Sequence, residues 1–430
     1  MRTLKFRRIR SAIRLGLFFF AAAGVLQAAQ LPTAKPQDAG FSAERLERLT
    51  QSMQAYVDSG RTAGLVVLAA RDGQVVYHKA FGKLDLASGS PMPLNAIFRV
   101  ASQTKALTST AVMILQEEGK LLIDDPIAKY IPEFAASRVA VQAPGKDAKG
   151  YTTVPLKRPI TIRDLLTHTA GISYGTGPAK DAWAAAGITG WFLADRDVPI
   201  GGVIKKLAGL PFDAQPGEQF LYGYNIDILG YLVEVVSGMS LADFIARRIT
   251  GPLGMTDSHF FLPESKLGRF TPVYGVDDKG GLKLIEDPKS SFYVKGPRKC
   301  FAGGAGLLAT AEDYARFLLM LQNGGEFQGV RILSPKTVEL MTVDHVGSLY
   351  AVQGFGLGFW VTDRLGRNGQ PGTVGSFGWG GAYHTTYWVD PVEKLVCVLM
   401  TQLLPAGDSD LHAKFRAMIY QAITQSYERR

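Results

Sequence analysis

Phe98-Arg99-Val100-Ala101-Ser102-Gln103-Thr104-Lys105 leads directly into Ala106-Leu107-Thr108-Ser109-Thr110-Ala111-Val112-Met113-Ile114-Leu115-Gln116. The second part is rich in helix formers, and Leu107, Ala111, Ile114 and Leu115 recur at helical spacing. The pattern predicts a helix from about Ser102 to Gly119. On such a helix Ser102 and Lys105 share a face. A serine hydroxyl is a weak nucleophile until a neighbour takes its proton. A lysine does so only if burial or a nearby cation lowers its pKa. A helix N-terminus also favours developing negative charge. Ser and Lys are common, so the spacing alone equally suits an N-cap serine and a solvated lysine. Its meaning depends on what accompanies it.

The chain has 430 residues, 47% of them apolar and 20% charged, ordinary values for a globular enzyme. Residues 1–29 stand apart. Arg2, Lys5, Arg7, Arg8, Arg10 and Arg14 come with no acid, residues 15–26 are apolar, and Gln27-Ala28-Ala29 offers small residues for cleavage. This is the pattern of a secretory signal peptide, with an apolar run short for a bilayer span. It predicts a periplasmic or secreted protein with no stable membrane anchor. Without those six basic residues the formal charge of +9 falls to about +3. No basic stripe remains to call for nucleic acid. Of the two cysteines, Cys397 lies in an apolar run that reads as a buried strand. Cys300 and Cys397 could pair in an oxidising compartment, but two inert thiols is the preferred reading. No Cys/His cluster has metal-site spacing, and neither metal nor cofactor is expected.

From the N-terminal side, residues 41–59 read as an amphipathic helix with Ser42 as N-cap. Residues 65–70 and 74–81 form two strands joined by Arg71-Asp72-Gly73, a hairpin signal. Beyond the Ser102 helix come short helices over 127–134 and 162–169, a polar excursion at 138–159, and an aromatic loop at 181–193. Helices follow at 227–237, 241–248 and 310–323, the last with Thr310 as N-cap. Strands return at 356–361, 376–390 and 395–401, and a helix closes the chain over 408–427. The two β-rich ends most simply form one antiparallel sheet flanked by the first and last helices. The expected fold is α+β: residues 30–100 and 340–430 make an α/β lobe, and 101–339 a mostly helical one.

Two later motifs suit the needs of Ser102. In Gly217-Glu218-Gln219-Phe220-Leu221-Tyr222-Gly223-Tyr224-Asn225, a tyrosine stands on a loop where it can share a proton with Ser102 and Lys105. A lysine ammonium beside it would favour its phenolate. In Phe377-Gly378-Trp379-Gly380-Gly381-Ala382, glycines inside a strand mark close backbone approach. Backbone N–H groups there can complete an oxyanion hole with that of Ser102.

Ser102-x-x-Lys105, then Tyr222, then Trp379-Gly380-Gly381 resembles the serine β-lactamase and penicillin-binding-protein superfamily. It is most similar to the class C-related carboxylesterases called family VIII. Leu165-Leu166-Thr167-His168-Thr169-Ala170-Gly171, residues 227–238, Pro252-Leu253-Gly254-Met255 and Gly303-Gly304-Ala305-Gly306-Leu307 extend the likeness along nearly all of the chain. The resemblance implies a β-lactamase-like fold. Ser102 would be the acylated nucleophile, with Lys105 and Tyr222 sharing the base and acid roles. The N–H groups of Ser102 and Ala382 would form the oxyanion hole, with Trp379, Gly380, Gly381, Tyr174 and Asn225 around the substrate. Two departures stand out. Tyr224 occupies the third position of the usual Tyr-x-Asn, with Asn225 one later. Trp379 stands where β-lactamases carry the lysine of Lys-Thr-Gly, which would ordinarily grip a carboxylate. An aromatic there favours neutral, apolar acyl groups, and with them small-molecule esters or amides.

The sequence offers other nucleophiles and bases. Gly171-Ile172-Ser173-Tyr174-Gly175 matches Gly-x-Ser-x-Gly, but that elbow needs a preceding strand and a following helix. His384 would lie on the opposite strand face from Trp379, which makes it structural. His168 is expected to cap a helix. The sequence thus predicts an exported serine hydrolase that cleaves carboxylic esters through an acyl-enzyme on Ser102. A β-lactamase, a D-alanyl-D-alanine peptidase or an acyltransferase is the alternative within the class. A non-catalytic peptidoglycan-binding relative is the alternative outside it.

Overall fold

A computed structural model describes residues 30–143 and 150–427; the signal-peptide reading of residues 1–29 lies outside the described residues. The first helix, α1 (Ala43–Asp58), starts where Ser42 Oγ accepts the N–H of Arg45 at 3.2 Å. Three strands follow: β1 (Gly64–Arg71), β2 (Gln74–Asp85) and β3 (Ser90–Pro91). The β1–β2 turn places Asp72 and Gly73 at φ of 52° and 76°, the left-handed pair that a two-residue hairpin requires. After α2 (Thr104–Glu117), α3 (Asn225–Ser237) and α4 (Ala311–Gln322) come the other five strands of the main sheet. These are β4 (Gly354–Phe355), β5 (Trp360–Val361), β6 (Phe377–Gly381), β7 (Thr385–Asp390) and β8 (Leu395–Thr401). Helix α5 (Leu411–Tyr420) follows β8.

The sheet runs β4-β5-β6-β7-β8-β1-β2-β3 with antiparallel neighbours throughout. Its centre is the β8–β1 pair, in register from Leu65 opposite Thr401 to Arg71 opposite Leu395. The two ends of the chain therefore share one sheet, as the sequence implied. Leu65, Val67 and Ala69 pack with Leu49 and Met53 of α1 and Phe415 and Ile419 of α5. Val66, Leu68 and Ala70 point the other way, into a core with α2 and α4. Both faces being covered, β1 carries a continuous apolar run although it is antiparallel. Helix α2 is buried along residues 104–115, and the hydroxyls of its buried Thr108 and Thr110 donate to backbone carbonyls one turn earlier. Cys300 and Cys397 are both buried, free thiols.

Several elements differ from expectation near the site. The Ser102 helix begins at Thr104, preceded by a 3-10 turn, Ala101–Gln103, whose first residue has a φ of 42°. Of the strand expected over 356–361, only Trp360–Val361 forms one, β5, and β4 lies just before the range. Gly358, at φ 94°, turns the chain between them because a side chain there would collide with Ser109 Oγ. The excursion at 138–159 contains a hairpin of Arg138–Gln142 with Tyr151–Pro155. The closing helix is shorter than expected, ending at Tyr420.

Candidate active site

The segment before Ser102 is held from three sides. Phe98–Arg99 pairs with Leu308–Ala309, and the Val100 N–H donates to Leu307 O at 3.1 Å. The fully buried Arg99 guanidinium donates to Glu286 Oε1 at 2.6 Å and to Thr271 O at 2.7 Å. Gln402 brackets the Arg99 backbone, accepting its N–H and donating to its C=O, both at 3.0 Å. Such anchoring supports the left-handed Ala101, an unfavourable conformation for a residue with a Cβ. Ser102 follows it, half-buried at the floor of a cavity of about 500 Å³.

Lys105 is buried to 1% exposure. Its Nζ donates to Ser102 Oγ at 3.1 Å, to Gly304 O at 2.8 Å and to Tyr174 OH at 3.4 Å. An ammonium has three protons, and all three have acceptors. The Tyr222 ring lies 4.7 Å from Nζ, in cation–π contact. Burial opposes the charge, but Tyr174, Tyr222 and Asp227 outweigh it, and the lysine pKa is raised. Lys105 is therefore an ammonium at neutral pH. The sequence reading required a lowered pKa for a lysine base; the site does the reverse.

Tyr222 OH accepts the indole N–H of Trp379 at 3.0 Å. Trp379 lies on β6, and its neighbour Gly381 brings that strand against the nucleophile segment. A Cβ at Gly381 would sit 2.4 Å from Val100 O, so only glycine permits the approach. Ser102, Tyr174, Tyr222, Trp379, Gly380, Gly381 and Ala382 all line the one cavity. Trp191, Trp360, Thr386 and His412 complete its wall. Trp191 comes from the aromatic loop noted in the sequence. Nothing local pointed to His412, which α5 brings across the sheet edge.

Asn225 is placed elsewhere. Fully buried, its Nδ2 shares two protons among Ile172 O at 2.9 Å, His168 Nδ1 at 3.0 Å and Leu221 O at 3.2 Å. It clamps the loop that carries Tyr222 and does not line the cavity. His168 ends no simple cap: at φ 56° and fully buried, it packs its ring 4.5 Å from that of Tyr222. Burial, aided by the Lys105 charge, holds its pKa well below the usual value, so it is neutral. His384 is not on a strand, because β6 ends at Gly381. It occupies the following turn at φ 65° and stacks on His412 at 4.1 Å. Strand parity thus has no bearing on its direction. Ser173 donates to the Asp213 carboxylate and accepts the N–H groups of Gly175 at 3.0 Å and Thr176 at 3.2 Å. That is a side-chain turn, with no strand leading in and no helix leading out. Asp227, in the first turn of α3, is a buried charge near Lys105 that motif reading missed.

A serine held beside a buried lysine and a tyrosine, with a glycine-bearing strand edge across the cavity, defines a serine hydrolase of β-lactamase architecture. The Beta-lactamase family profile matches residues 49–421, and the chain belongs to that family. Esterase EstB of Burkholderia gladioli is 30% identical over 399 residues, covering 88% of this chain and 95% of its own length. A protein of Escherichia coli K12, provisionally named D-alanyl-D-alanine carboxypeptidase, is 30% identical over 423 residues, covering 90% and 89%. Among solved structures, EstCE1, described as a hydrolase with promiscuous acyltransferase activity, superposes with a TM-score of 0.74 at 27% identity. It covers 89% of this chain and 98% of its own.

Proposed function

We propose that the protein is an exported hydrolase that cleaves neutral carboxylic esters through an acyl-enzyme on Ser102. The observation that carries the choice of esters is the cavity wall. Among the described residues it is lined by Trp191, Trp360 and Trp379 and by no lysine or arginine. A β-lactam or a peptide C-terminus presents a carboxylate, and burying one without a cationic partner is costly. Trp379 cannot serve as that partner, and its one N–H is already engaged by Tyr222. The esterase-named relatives point the same way, and the basic, apolar leader at residues 1–29 supports export.

In this reading Ser102 Oγ attacks the ester carbonyl while its proton passes to Tyr222. The Lys105 ammonium steadies the serine oxygen and lies 4.7 Å from the Tyr222 ring, and the step uses that tyrosine as its phenolate. The backbone N–H groups of Ser102 and Ala382 receive the oxyanion. Collapse expels the alcohol, which takes the proton back from Tyr222. Water then repeats the sequence on the acyl-enzyme and frees the acid. An alcohol in place of water would give acyl transfer.

Hydrolysis of short p-nitrophenyl esters beside a chromogenic cephalosporin, by the wild type and Ser102→Ala, tests the assignment. Ester cleavage that dominates and disappears in Ser102→Ala supports it. Dominant cephalosporin cleavage would keep the fold and replace the substrate class.

A further inference from the structure

Asp227 is a fully buried carboxylate that no step above uses. Its Oδ1 accepts the Gly304 N–H at 2.9 Å. The Gly304 carbonyl in turn accepts Lys105 Nζ at 2.8 Å, and Lys105 donates onward to Ser102 at 3.1 Å. The glycine pair is fitted to this arrangement. A Cβ at Gly304 would lie 2.3 Å from Asp227 Oδ2, and one at Gly303 would lie 2.7 Å from Ile226 O. Thr108 Oγ1 fixes the same loop from α2 by donating to Gly303 O at 2.9 Å. Among the described residues no carboxylate lies within ion-pair distance of Lys105. An isolated ammonium in a closed site would lose its proton.

We propose that Asp227 is a positioning residue: it holds the Gly303 and Gly304 loop against Lys105 and supplies the negative charge that keeps this lysine an ammonium. The proton-accepting role then falls to a tyrosine. The inference rests on Ser102 being the nucleophile. The groups that act on Lys105 are Tyr174 and Tyr222 from their loops and Asp227 from α3, and the Lys105 charge acts in turn on the neutral His168 behind Tyr222. Tyr224 and Cys300 are the other titratable groups in the field of Asp227. Burial raises the Asp227 pKa to about 6, with Lys105 and the Gly304 N–H opposing, so the carboxylate is ionised at neutral pH and above.

The test is the pH dependence of Ser102 labelling by a fluorophosphonate, which forms an oxygen–phosphorus bond and releases fluoride whatever the natural substrate. Asp227→Asn keeps an acceptor oxygen for Gly304 and removes the charge. The alkaline limb of labelling should move down by about one pH unit, and labelling on that limb should slow about tenfold, because an unpartnered ammonium loses its proton more readily. Gly304→Ala, whose methyl would meet the Asp227 carboxylate while the backbone carbonyl that accepts Lys105 is kept, should do the same and serves if Asp227→Asn fails to fold. An unmoved limb would overturn the inference. So would faster labelling at neutral pH, the result expected if Lys105 acted as a neutral base. Labelling of the wild type without ester turnover would fault only the substrate reading. No labelling of Ser102 at all would remove both.

Discussion

Trp379 performs two tasks with one side chain. Its ring faces the cavity, and its N–H holds the Tyr222 oxygen. Trp379→Phe separates them, keeping the wall and losing the donor. A hydrogen bond to an oxygen that carries charge in the reaction is worth about 1.5–3 kcal/mol. The variant should therefore lose about tenfold to a hundredfold in kcat on p-nitrophenyl butyrate, with KM little changed. Tyr222→Phe should lose more, about a hundredfold to ten-thousandfold. At this scale the sequence was most legible where function needs fixed residue types in fixed order. Ser102, Tyr222 and Trp379 line one cavity, and the buried Lys105 reaches Ser102 from behind it. Asp227 and His412 were invisible because their roles come from distant contacts, with Gly304 and with the sheet edge. Asn225 was misjudged for a related reason. Its amide has three acceptors in the wall behind Tyr222, and only the packed loop shows them.

The elements that matter most are a strand edge and a turn. β6 reaches the nucleophile because Gly381 has no side chain, and Ser102 is aimed by a 3-10 turn rather than by the first turn of α2. Gly381→Ala would place a methyl 2.4 Å from both Val100 O and Thr385 Oγ1. The strand and the turn must then part. Activity should fall about a hundredfold, since misplacement on this scale is costly to catalysis. Overpacking should lower stability by about 1–3 kcal/mol in urea titrations. Periodicity located β1, β2, β8, α1 and α4 well because each buries a regular face. It failed at 356–361 and at the start of α2, where a single left-handed residue, Gly358 or Ala101, redirects the chain. An apolar run gives no warning of such a residue when it is not glycine.

For the whole molecule, the joining of the two chain ends is the decisive feature. Arg71, at the end of β1 and 1% exposed, pairs with the buried Glu393 at 2.5 Å. It also donates to the carbonyls of Ala39 at 3.0 Å and Gln425 at 2.7 Å, so one guanidinium ties both terminal segments to the central strand pair. Arg71→Met leaves the Glu393 carboxylate without its cation. Breaking a buried pair in this way should cost about 3–5 kcal/mol, read as an earlier urea midpoint with kcat intact at low denaturant. The sheet made from both ends was legible because β-rich stretches flank a helical middle. The clamp was not, since nothing near Arg71 in sequence identifies its partners.

The central claim is that Ser102 carries the acyl group. Rapid quenching of the enzyme with p-nitrophenyl butyrate, followed by peptide mass spectrometry, tests it most directly. One butyryl adduct should appear on the peptide containing Ser102. It should persist in Ser173→Ala and vanish in Ser102→Ala. An adduct on Ser173, or turnover by Ser102→Ala at the wild-type rate, would contradict the account.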